Sequence, residues 1–488
     1  MERGKPTVAI IGAGMSGLCM AIKLQDAGID AFTIFEKADE VGGTWRDNTY
    51  PGLTCDVPSR YYSYSFRPNP DWSHLLPPGP EIQEYFRRVA TERGVRARIR
   101  FGTDVTAAVY RDGRWWLTTG EGEEEEPFDV LVTATGVLRV PRYPDIAGLD
   151  SFAGPTFHSS RWDHSVSLPD KRIGVIGTGS TGVQITAALG GNVKQLKVFQ
   201  RTAQWVLPFP NPRYKAATKA ALRRFRSLNT LGYGFWGRFF RSVPGRAPIR
   251  PGWQRNMLQA SCRWNLRLSV RDPELRQKLT PAHQPMCKRL IMASTYYAAV
   301  KKPAVDIVTD PIERVEPRGV VTADGTLHEL DLLVLATGFD ARAYVRPMAI
   351  VGEHGRTLDE AWEDGPTAYR SVAVPGFPNM FMMMGPHSPI GNQSLVPVAE
   401  SQADFALWWI RRIADGSITA AAPTEAASKD YNEDMKASMP QTVWVTGCSS
   451  WYLGKDGLPE LFPWAPERHQ ELLKSPDLGD FDIRSARA

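Results

Sequence analysis

Residues 7–37, TVAIIGAGMSGLCMAIKLQDAGIDAFTIFEK, decide the fold of the N-terminal part of the chain. An apolar, β-branched run leads into Gly12, Gly14 and Gly17 in GxGxxG spacing, and an amphipathic stretch and a second apolar run ending at Glu36 follow. This order of strand, glycine turn, helix and strand is typical of a βαβ unit. The glycines let backbone N–H groups approach a pyrophosphate at the helix N-terminus, and the acid suits a ribose diol. The stretch therefore predicts a dinucleotide site.

A second βαβ unit lies at residues 171–202, KRIGVIGTGSTGVQITAALGGNVKQLKVFQRT. Its predicted nucleotide-binding turn contains Gly177, Gly179, Ser180, Thr181 and Gly182. Its second strand ends at Arg201 and Thr202, where the first unit has its acid. A carboxylate repels a 2′-phosphate, whereas a guanidinium binds one through paired hydrogen bonds. We therefore expect FAD at the first unit and NADPH at the second, with a solvated surface arginine as the alternative interpretation of Arg201.

The two units define a predicted domain organisation. Two apolar strands end in Ala-Thr-Gly, at 134–136 and 336–338, where the chain would pass from one domain to the other. The predicted fold class is α/β, with two Rossmann-like domains: an FAD domain at 1–142 and 341–488, and an NADPH domain at 143–209 and 288–340. Residues 210–287 are basic, aromatic and helical in period, which predicts a helical insertion. Its arginines and aromatics fit a packed helix with solvated charges, a membrane-surface face or a route for an apolar substrate.

Composition narrows the class of protein. The chain has 488 residues and a net charge of only +5, which gives little support to nucleic-acid binding. Its five cysteines, Cys19, Cys55, Cys262, Cys287 and Cys448, are odd in number and lack CxxC spacing, which argues against a disulfide framework and a metal site and fits a reducing compartment. The chain shows no signal sequence and no uninterrupted apolar run of membrane-spanning length. We therefore expect a cytoplasmic protein without stable membrane insertion, as a monomer or homodimer.

Two longer patterns identify a family resemblance. Residues 152–163, FAGPTFHSSRWD, match FxGxxxHxxxWD, and residues 43–56, GTWRDNTYPGLTCD, match GxWxxxxYPGxxxD. With these patterns the chain resembles the type I Baeyer–Villiger monooxygenases, and the resemblance extends through CKRLIMASTYY, ATGFD and GCSSWYLG. Related flavin-containing N- and S-oxygenases share both glycine turns, but their equivalent pattern ends differently from Trp-Asp.

The resemblance implies an activity. FAD reduced by NADPH would react with O₂ to give a C4a-peroxyflavin, which attacks a ketone and inserts one oxygen atom to form an ester or lactone. The partners would be a small-molecule ketone and O₂. Two alternatives stay open: an N- or S-oxygenase of amines or sulfides, and a non-enzymatic, redox-sensing flavoprotein.

The resemblance also implies site residues. Arg289 would be the catalytic cation beside the flavin, because a guanidinium cannot supply a proton at neutral pH. Asp56 would be the carboxylate that pairs with Arg289 and orients it. Lys288 would meet the NADPH 2′-phosphate beside Arg201 and Thr202. Further expected cofactor contacts are Gly43, Thr44, Trp45 and Trp451.

The fingerprint at 152–163 is expected to be a linker between the two nucleotide domains. Phe152 and Trp162 would be packing anchors, Gly154 a turn, and His158 a positioning residue, with Asp163 completing the pattern. The substrate pocket is expected to draw on the helical insertion, on GPHSPIGNQSL at 385–395 and on the C-terminal segment.

Overall fold

Two parallel sheets organise the computed structural model, which describes residues 5–124, 126–448, 453–455 and 457–485. Along the chain the strands are β1 Val8–Ile11, β2 Phe32–Phe35, β3 Ile99–Arg100, β4 Val105–Arg111, β5 Arg114–Thr119, β6 Gly122–Glu123, β7 Val130–Thr133, β8 Thr156–His158, β9 Arg172–Ile176, β10 Gln195–Phe199, β11 Val206–Leu207, β12 Ile291–Met292, β13 Val305–Val308, β14 Ile312–Glu316, β15 Gly319–Thr322, β16 Leu327–Glu329, β17 Leu332–Leu335, β18 Ala349–Val351, β19 Met380–Met382, β20 Ala420–Pro423 and β21 Phe481–Arg484. The α-helices are α1 Met15–Asp26, α2 Thr44–Asp47, α3 Gly79–Glu92, α4 Ser180–Leu189, α5 Ala216–Arg224, α6 Ser227–Ser242, α7 Trp253–Ser269, α8 Pro273–Lys278, α9 Tyr296–Ala299, α10 Leu358–Ala361, α11 Leu395–Ala414, α12 Glu425–Ser438 and α13 Pro466–Lys474.

The first parallel sheet has the strand order β19-β7-β1-β2-β3. Strand β1 lies in the middle, with Val8 opposite Phe32 of β2 on one side and Val130 of β7 on the other. Every residue of β1 and β7 is buried, as expected for parallel strands that helices cover on both faces. Helix α1 connects β1 to β2 and packs against α11.

The second parallel sheet repeats this arrangement with the order β13-β10-β9-β17-β8. Strand β9 is central, and α4 connects it to β10. The predicted α/β class with two Rossmann-like sheets is therefore confirmed. Smaller sheets, β18-β4-β5-β6, β14-β15-β16 and β20-β21, flank the two parallel ones.

The helices α5 to α8 form an excursion from the second unit. The chain leaves at β11 and returns at β12, and these two strands pair in parallel, with Val206 opposite Ile291. The buried side of α7 packs into the core of the second sheet through Leu258, Cys262 and Leu266. Among the described residues, no helix has both the length and the apolar character needed to cross a bilayer.

Two chain segments connect the sheets, and they run beside each other. Pro141 and Phe339 form an antiparallel bridge. The Arg142 N–H donates to the Gly338 carbonyl at 2.9 Å, and the Asp340 N–H donates to the Val140 carbonyl at 2.9 Å. The outgoing and returning connections are therefore hydrogen-bonded into one two-stranded ribbon.

The cysteine arrangement differs from the sequence expectation. Cys287 and Cys448 form a disulfide, with their Cα atoms 6.1 Å apart, although the cysteine spacing argues against a disulfide framework. The partners lie 161 residues apart in sequence, and only the tertiary fold brings them together. The other three cysteines are free and buried. The reducing compartment stays a prediction.

One buried histidine should make the fold sensitive to acid. His469 is 1% exposed, neither ring nitrogen has a hydrogen-bond partner among the described residues, and burial lowers its pKa to about 3. Between about pH 6.5 and this value the unfolded chain binds a proton that the folded chain excludes, so stability falls as pH falls, by about 1.4 kcal/mol per pH unit.

Replacing His469 by Leu should therefore reduce the drop in thermal unfolding midpoint between neutral pH and pH 5. The exposed His164 is the matched control, and His164→Leu should leave the drop unchanged. An equal drop in the wild type and in His469→Leu would show that other groups cause the acid sensitivity.

Candidate active site

The first glycine turn is shaped by close backbone approaches. Gly12 has φ +107°, and a Cβ there would lie 2.6 Å from the Ala134 carbonyl oxygen. A Cβ at Gly17 would lie 1.9 Å from the Gly12 oxygen. Gly14 is less restricted, because the nearest atom to its Cβ position is the Cα of Gly43 at 3.7 Å. Two glycines are thus required by packing against the protein, whereas Gly14 leaves backbone open at the start of α1.

Glu36 is fixed beside this turn. Its carboxylate is 4% exposed and accepts hydrogen bonds from the backbone N–H groups of Ala13 at 2.8 Å and Ala38 at 3.0 Å. The Arg46 guanidinium lies 3.0 Å from Oε1. A carboxylate fixed by hydrogen bonds at the end of β2, next to an open turn at a helix N-terminus, suits the ribose and pyrophosphate of a dinucleotide.

Residues 43–56 connect the two glycine turns. Gly43 contacts Gly14 and precedes the short helix Thr44–Asp47, in which the Trp45 indole N–H donates to the Tyr62 hydroxyl at 3.0 Å. The Tyr50 hydroxyl then donates to Gln184 of α4 at 2.9 Å. The segment therefore begins against the first nucleotide turn and ends against the helix of the second.

The second glycine turn repeats the geometry of the first. Gly177 has φ +111°, and its Cβ would lie 2.4 Å from the Ala336 oxygen, while a Cβ at Gly182 would lie 2.1 Å from the Gly177 oxygen. A Cβ at Gly179 would meet no atom within 4 Å. Helix α4 starts next, with the other two residues of the predicted site, Ser180 and Thr181. This turn also leaves open backbone at a helix N-terminus, as a second dinucleotide requires.

Two basic side chains, Lys288 and Arg201, lie close together near the second turn. Burial, and then repulsion from Arg201, lower the pKa of Lys288, and burial and Lys288 lower the pKa of His283 to about 4. Among the described residues, neither Lys288 nor Arg201 has an acidic partner. Thr202 lies next to Arg201, and its carbonyl accepts from the Thr178 hydroxyl at 2.6 Å. Two neighbouring cations without an acid fit the phosphate of an anionic ligand.

Replacing Arg201 by Ala should raise the KM for NADPH by about 10-fold to 100-fold, because we expect this guanidinium to make charge-assisted hydrogen bonds to the 2′-phosphate. The KM for NADH, which lacks this phosphate, should hardly change. Arg318, an exposed arginine paired with Glu329, is the matched control, and Arg318→Ala should affect neither nucleotide. Equal losses for NADPH and NADH in Arg201→Ala would contradict the assignment.

The structure brings Asp56 and Arg289 together across 233 residues of sequence. Arg289 donates through Nε to Asp56 Oδ2 and through Nη2 to Oδ1, both at 2.8 Å, in a two-point ion pair. Its Nη1 donates to the Ile390 carbonyl at 3.0 Å. The Arg289 side chain is 37% exposed.

The ion pair lies in a partly open cleft. Asp56, Lys288 and Arg289 are the charged groups of its lining. The other lining residues come from the start of the chain, the helical insertion, the segment after Cys287 and the 385–395 loop, namely Val57, Phe240, Pro244, Pro248, Leu258, Met286, Leu290, Met292, Gly391, Asn392 and Gln393. The cleft thus combines a mostly apolar wall with an oriented cation, which suits a small apolar molecule that carries one polar group.

The predicted linker at 152–163 is partly an element of the second sheet. Residues 156–158 are the edge strand β8, in which His158 lies opposite Leu335 of β17. A Cβ at Gly154 would lie 2.8 Å from the Asp331 oxygen. Phe152 packs into the core beside this sheet, and Trp162 contacts the Phe157 ring edge-on. This strand is too short to show the period of a strand, and for that reason the sequence predicts a linker here.

Hydrogen bonds hold the remaining two fingerprint residues, His158 and Asp163. The Ser160 N–H donates to His158 Nδ1, which leaves the proton on Nε2 to donate to the Gly338 carbonyl at 3.0 Å. Burial lowers the pKa of His158. His158 therefore connects the edge strand to the second Ala-Thr-Gly segment. The exposed Asp163 accepts from the Ser165 N–H and hydroxyl at 2.8 and 2.6 Å, which closes a turn.

Trp451 lies outside the described residues. The sequence patterns did not identify Arg46, Gln184 or the Ile390 carbonyl as supports of the site. Arg46 falls within GTWRDNTYPGLTCD, and that pattern is the only signal that points to it; the other two act across long separations.

Known proteins resemble this chain in sequence and in structure. The family model described as Flavin-binding monooxygenase-like matches residues 5–216. An uncharacterized monooxygenase of Mycobacterium bovis is 53% identical over 479 residues, covering 98% of this chain and 96% of the relative. A Baeyer-Villiger monooxygenase of Streptomyces coelicolor is 37% identical over 482 residues, covering 98% of this chain and 92% of the relative. The crystal structure of OTEMO in complex with FAD and NADP is 29% identical, with a TM-score of 0.85, and covers 98% of this chain and 100% of the other.

Proposed function

Because the chain belongs to the Baeyer–Villiger monooxygenases, we propose that it uses NADPH and O₂ to insert one oxygen atom next to the carbonyl of a ketone, giving an ester or lactone. The family resemblance expected from the fingerprint is confirmed. FAD and NADP(H) are its cofactors, FAD at the Gly12–Gly17 turn and NADP(H) at the Gly177–Gly182 turn. We assign the FAD domain to 1–142 and 341–488, the NADPH domain to 143–209 and 288–340, and the helical insertion to 210–287.

The observation that carries the proposal is the Asp56–Arg289 pair in the cleft. Bound FAD supplies the electrons and the site at which O₂ is activated. Arg289 provides a permanent positive charge, and at neutral pH it cannot give a proton to an anion that must stay deprotonated to attack a carbonyl. Asp56 fixes the plane of the guanidinium through two hydrogen bonds.

The other residues bind and orient. Lys288 and Arg201 hold the 2′-phosphate, while Arg289, the next residue after Lys288, faces the reacting atoms. A single short segment therefore couples nucleotide binding to the position of the catalytic cation. The apolar wall from Phe240, Pro244, Pro248 and Leu258 keeps water from the ketone.

The test is product analysis with purified holoenzyme, a panel of ketones and a thioether. We expect NADPH oxidation that needs O₂ and is stimulated by ketones, with the product mass increased by one oxygen atom and the second oxygen released as water. A sulfoxide from the thioether without ester from any ketone would favour an N- or S-oxygenase. NADPH oxidation that no ketone or thioether stimulates would favour a redox-sensing flavoprotein. The monomeric or homodimeric state and the cytoplasmic location stay predictions.

A further inference from the structure

The helical insertion carries most of the large apolar side chains that the described residues expose. Of ten such side chains, eight lie between residues 225 and 268. They are Phe225, Leu228, Leu231, Phe235, Trp253, Met257, Trp264 and Leu268, with exposed fractions from 38% to 68%. Only Tyr143 and Leu478 lie elsewhere. Large apolar side chains exposed in such number on one segment are typical of a binding surface in a folded protein.

The exposed side chains follow helical spacing. On α6, Leu228, Leu231 and Phe235 recur at intervals of three and four residues, and on α7 the exposed residues from Trp253 to Leu268 also share one face. We call these two rows the outer faces of α6 and α7. The opposite sides of the same helices place Phe240 and Leu258 in the wall of the active-site cleft. Each outer face therefore points away from the cleft.

The charge of this region has one sign. No Asp or Glu occurs from residue 171 to residue 271, and residues 213–271 contain 14 Lys and Arg. Arg263 and Arg267 are exposed and lie beside the apolar row of α7, and Arg238 lies in the same way on α6. Acidic residues from the rest of the chain pair with some of these basic residues, such as Asp71 with Arg223 at 2.6 Å and Glu467 with Arg246 at 3.5 Å. Most of the positive charge still faces outward.

We propose that the outer faces of α6 and α7 dock the protein on an anionic lipid surface. Apolar side chains of amphipathic helices enter the boundary between headgroups and acyl chains, and flanking arginines bind anionic headgroups. A second copy of the chain fits less well, since contact between two such faces would bring the exposed Arg238, Arg263 and Arg267 of one copy against those of the other. A nucleic acid would match the charge but would leave Leu231, Phe235 and Leu268 without a suitable environment. Docking at headgroup depth needs no spanning segment.

The test is co-sedimentation of the FAD-bound protein with vesicles, and it does not depend on the oxygenation reaction. One set contains phosphatidylcholine alone and the other contains phosphatidylcholine with phosphatidylglycerol. We expect binding to the mixed vesicles, weakened by high salt, with a blue shift of tryptophan fluorescence. The double variants Leu231→Ser with Phe235→Ser, and Trp264→Ser with Leu268→Ser, should each weaken binding by about 10-fold or more. Leu478→Ser, which removes an exposed leucine elsewhere, is the matched control.

FAD content and the thermal unfolding midpoint verify that each variant is folded. Arg263→Gln with Arg267→Gln should also weaken binding to the mixed vesicles. Failure of the wild type to sediment with mixed vesicles overturns the proposal, and a dimer that the serine variants dissociate would then assign these faces to contact between copies. Binding that responds to the arginine variants but not to the serine variants also overturns it, because a polyanion such as RNA would then suffice.

Discussion

Replacing Arg289 by Ala should lower the rate of ketone oxygenation by about 10²-fold to 10³-fold, the usual cost of removing one preorganised electrostatic stabiliser. The loss should appear as uncoupling, with NADPH consumed and hydrogen peroxide released in place of ester. FAD should stay bound, since its proposed contacts at the Gly12–Gly17 turn and Glu36 do not involve Arg289. The measurement is the ratio of ester to hydrogen peroxide per NADPH consumed.

Two further variants sharpen this result. Arg289→Lys should recover little activity, because an ammonium lacks the planar fork that binds both oxygens of Asp56 and can give up a proton. Arg342→Lys, at an arginine that pairs with Glu460 away from the cleft, is the matched control. If Arg289→Ala made ester at close to the wild-type rate, the catalytic cation would be another residue.

Replacing Gly17 by Ala should give protein that purifies without FAD. The new Cβ would lie 1.9 Å from the Gly12 carbonyl oxygen, so α1 and the turn must move apart. Overpacking of this severity costs about 3 kcal/mol, which weakens FAD retention by about 100-fold. The ratio of flavin to protein absorbance in the purified sample measures the effect.

Variants of two other glycines are the controls for that experiment. Gly120 lies in open space, and Gly120→Ala should keep full FAD content. Gly14→Ala fits the protein, with its nearest neighbour at 3.7 Å, so it should preserve the thermal stability of the apoprotein and weaken FAD binding alone. Full flavin content in Gly17→Ala would mean that the turn tolerates a side chain and that its geometry is not what holds the cofactor.

Local signals predict much of this fold. The sequence predicts both βαβ units because strand, glycine turn and helix follow each other within about 30 residues. Contacts between residues that are far apart in sequence have no such local signal. The Asp56–Arg289 pair joins residues 233 positions apart, and only the family resemblance points to it. Nothing local in the sequence marks Cys287 and Cys448 as disulfide partners.

Packing between elements determines where glycine is required and which face of a helix is exposed. Ala134 and Ala336, which follow the strands next to the central ones, supply the carbonyls that make Gly12 and Gly177 necessary. Aromatic and aliphatic residues are normally expected inside a protein, but Phe235 and Leu231 lie outside because the opposite side of α6 already fills the core. A helical period shows that a helix has two faces, not which one the rest of the chain covers.

The ribbon formed by residues 140–142 and 338–340 has a mechanical consequence. Two separate tethers would let the nucleotide domains rotate in several directions, whereas two hydrogen-bonded strands bend readily only about an axis across the ribbon. His158 fastens one end of it, because its imidazole binds the Gly338 carbonyl that also receives the Arg142 N–H. At this ribbon, relative motion of the two domains would therefore be limited to bending about one axis, which restricts the directions in which a nicotinamide can move relative to the flavin.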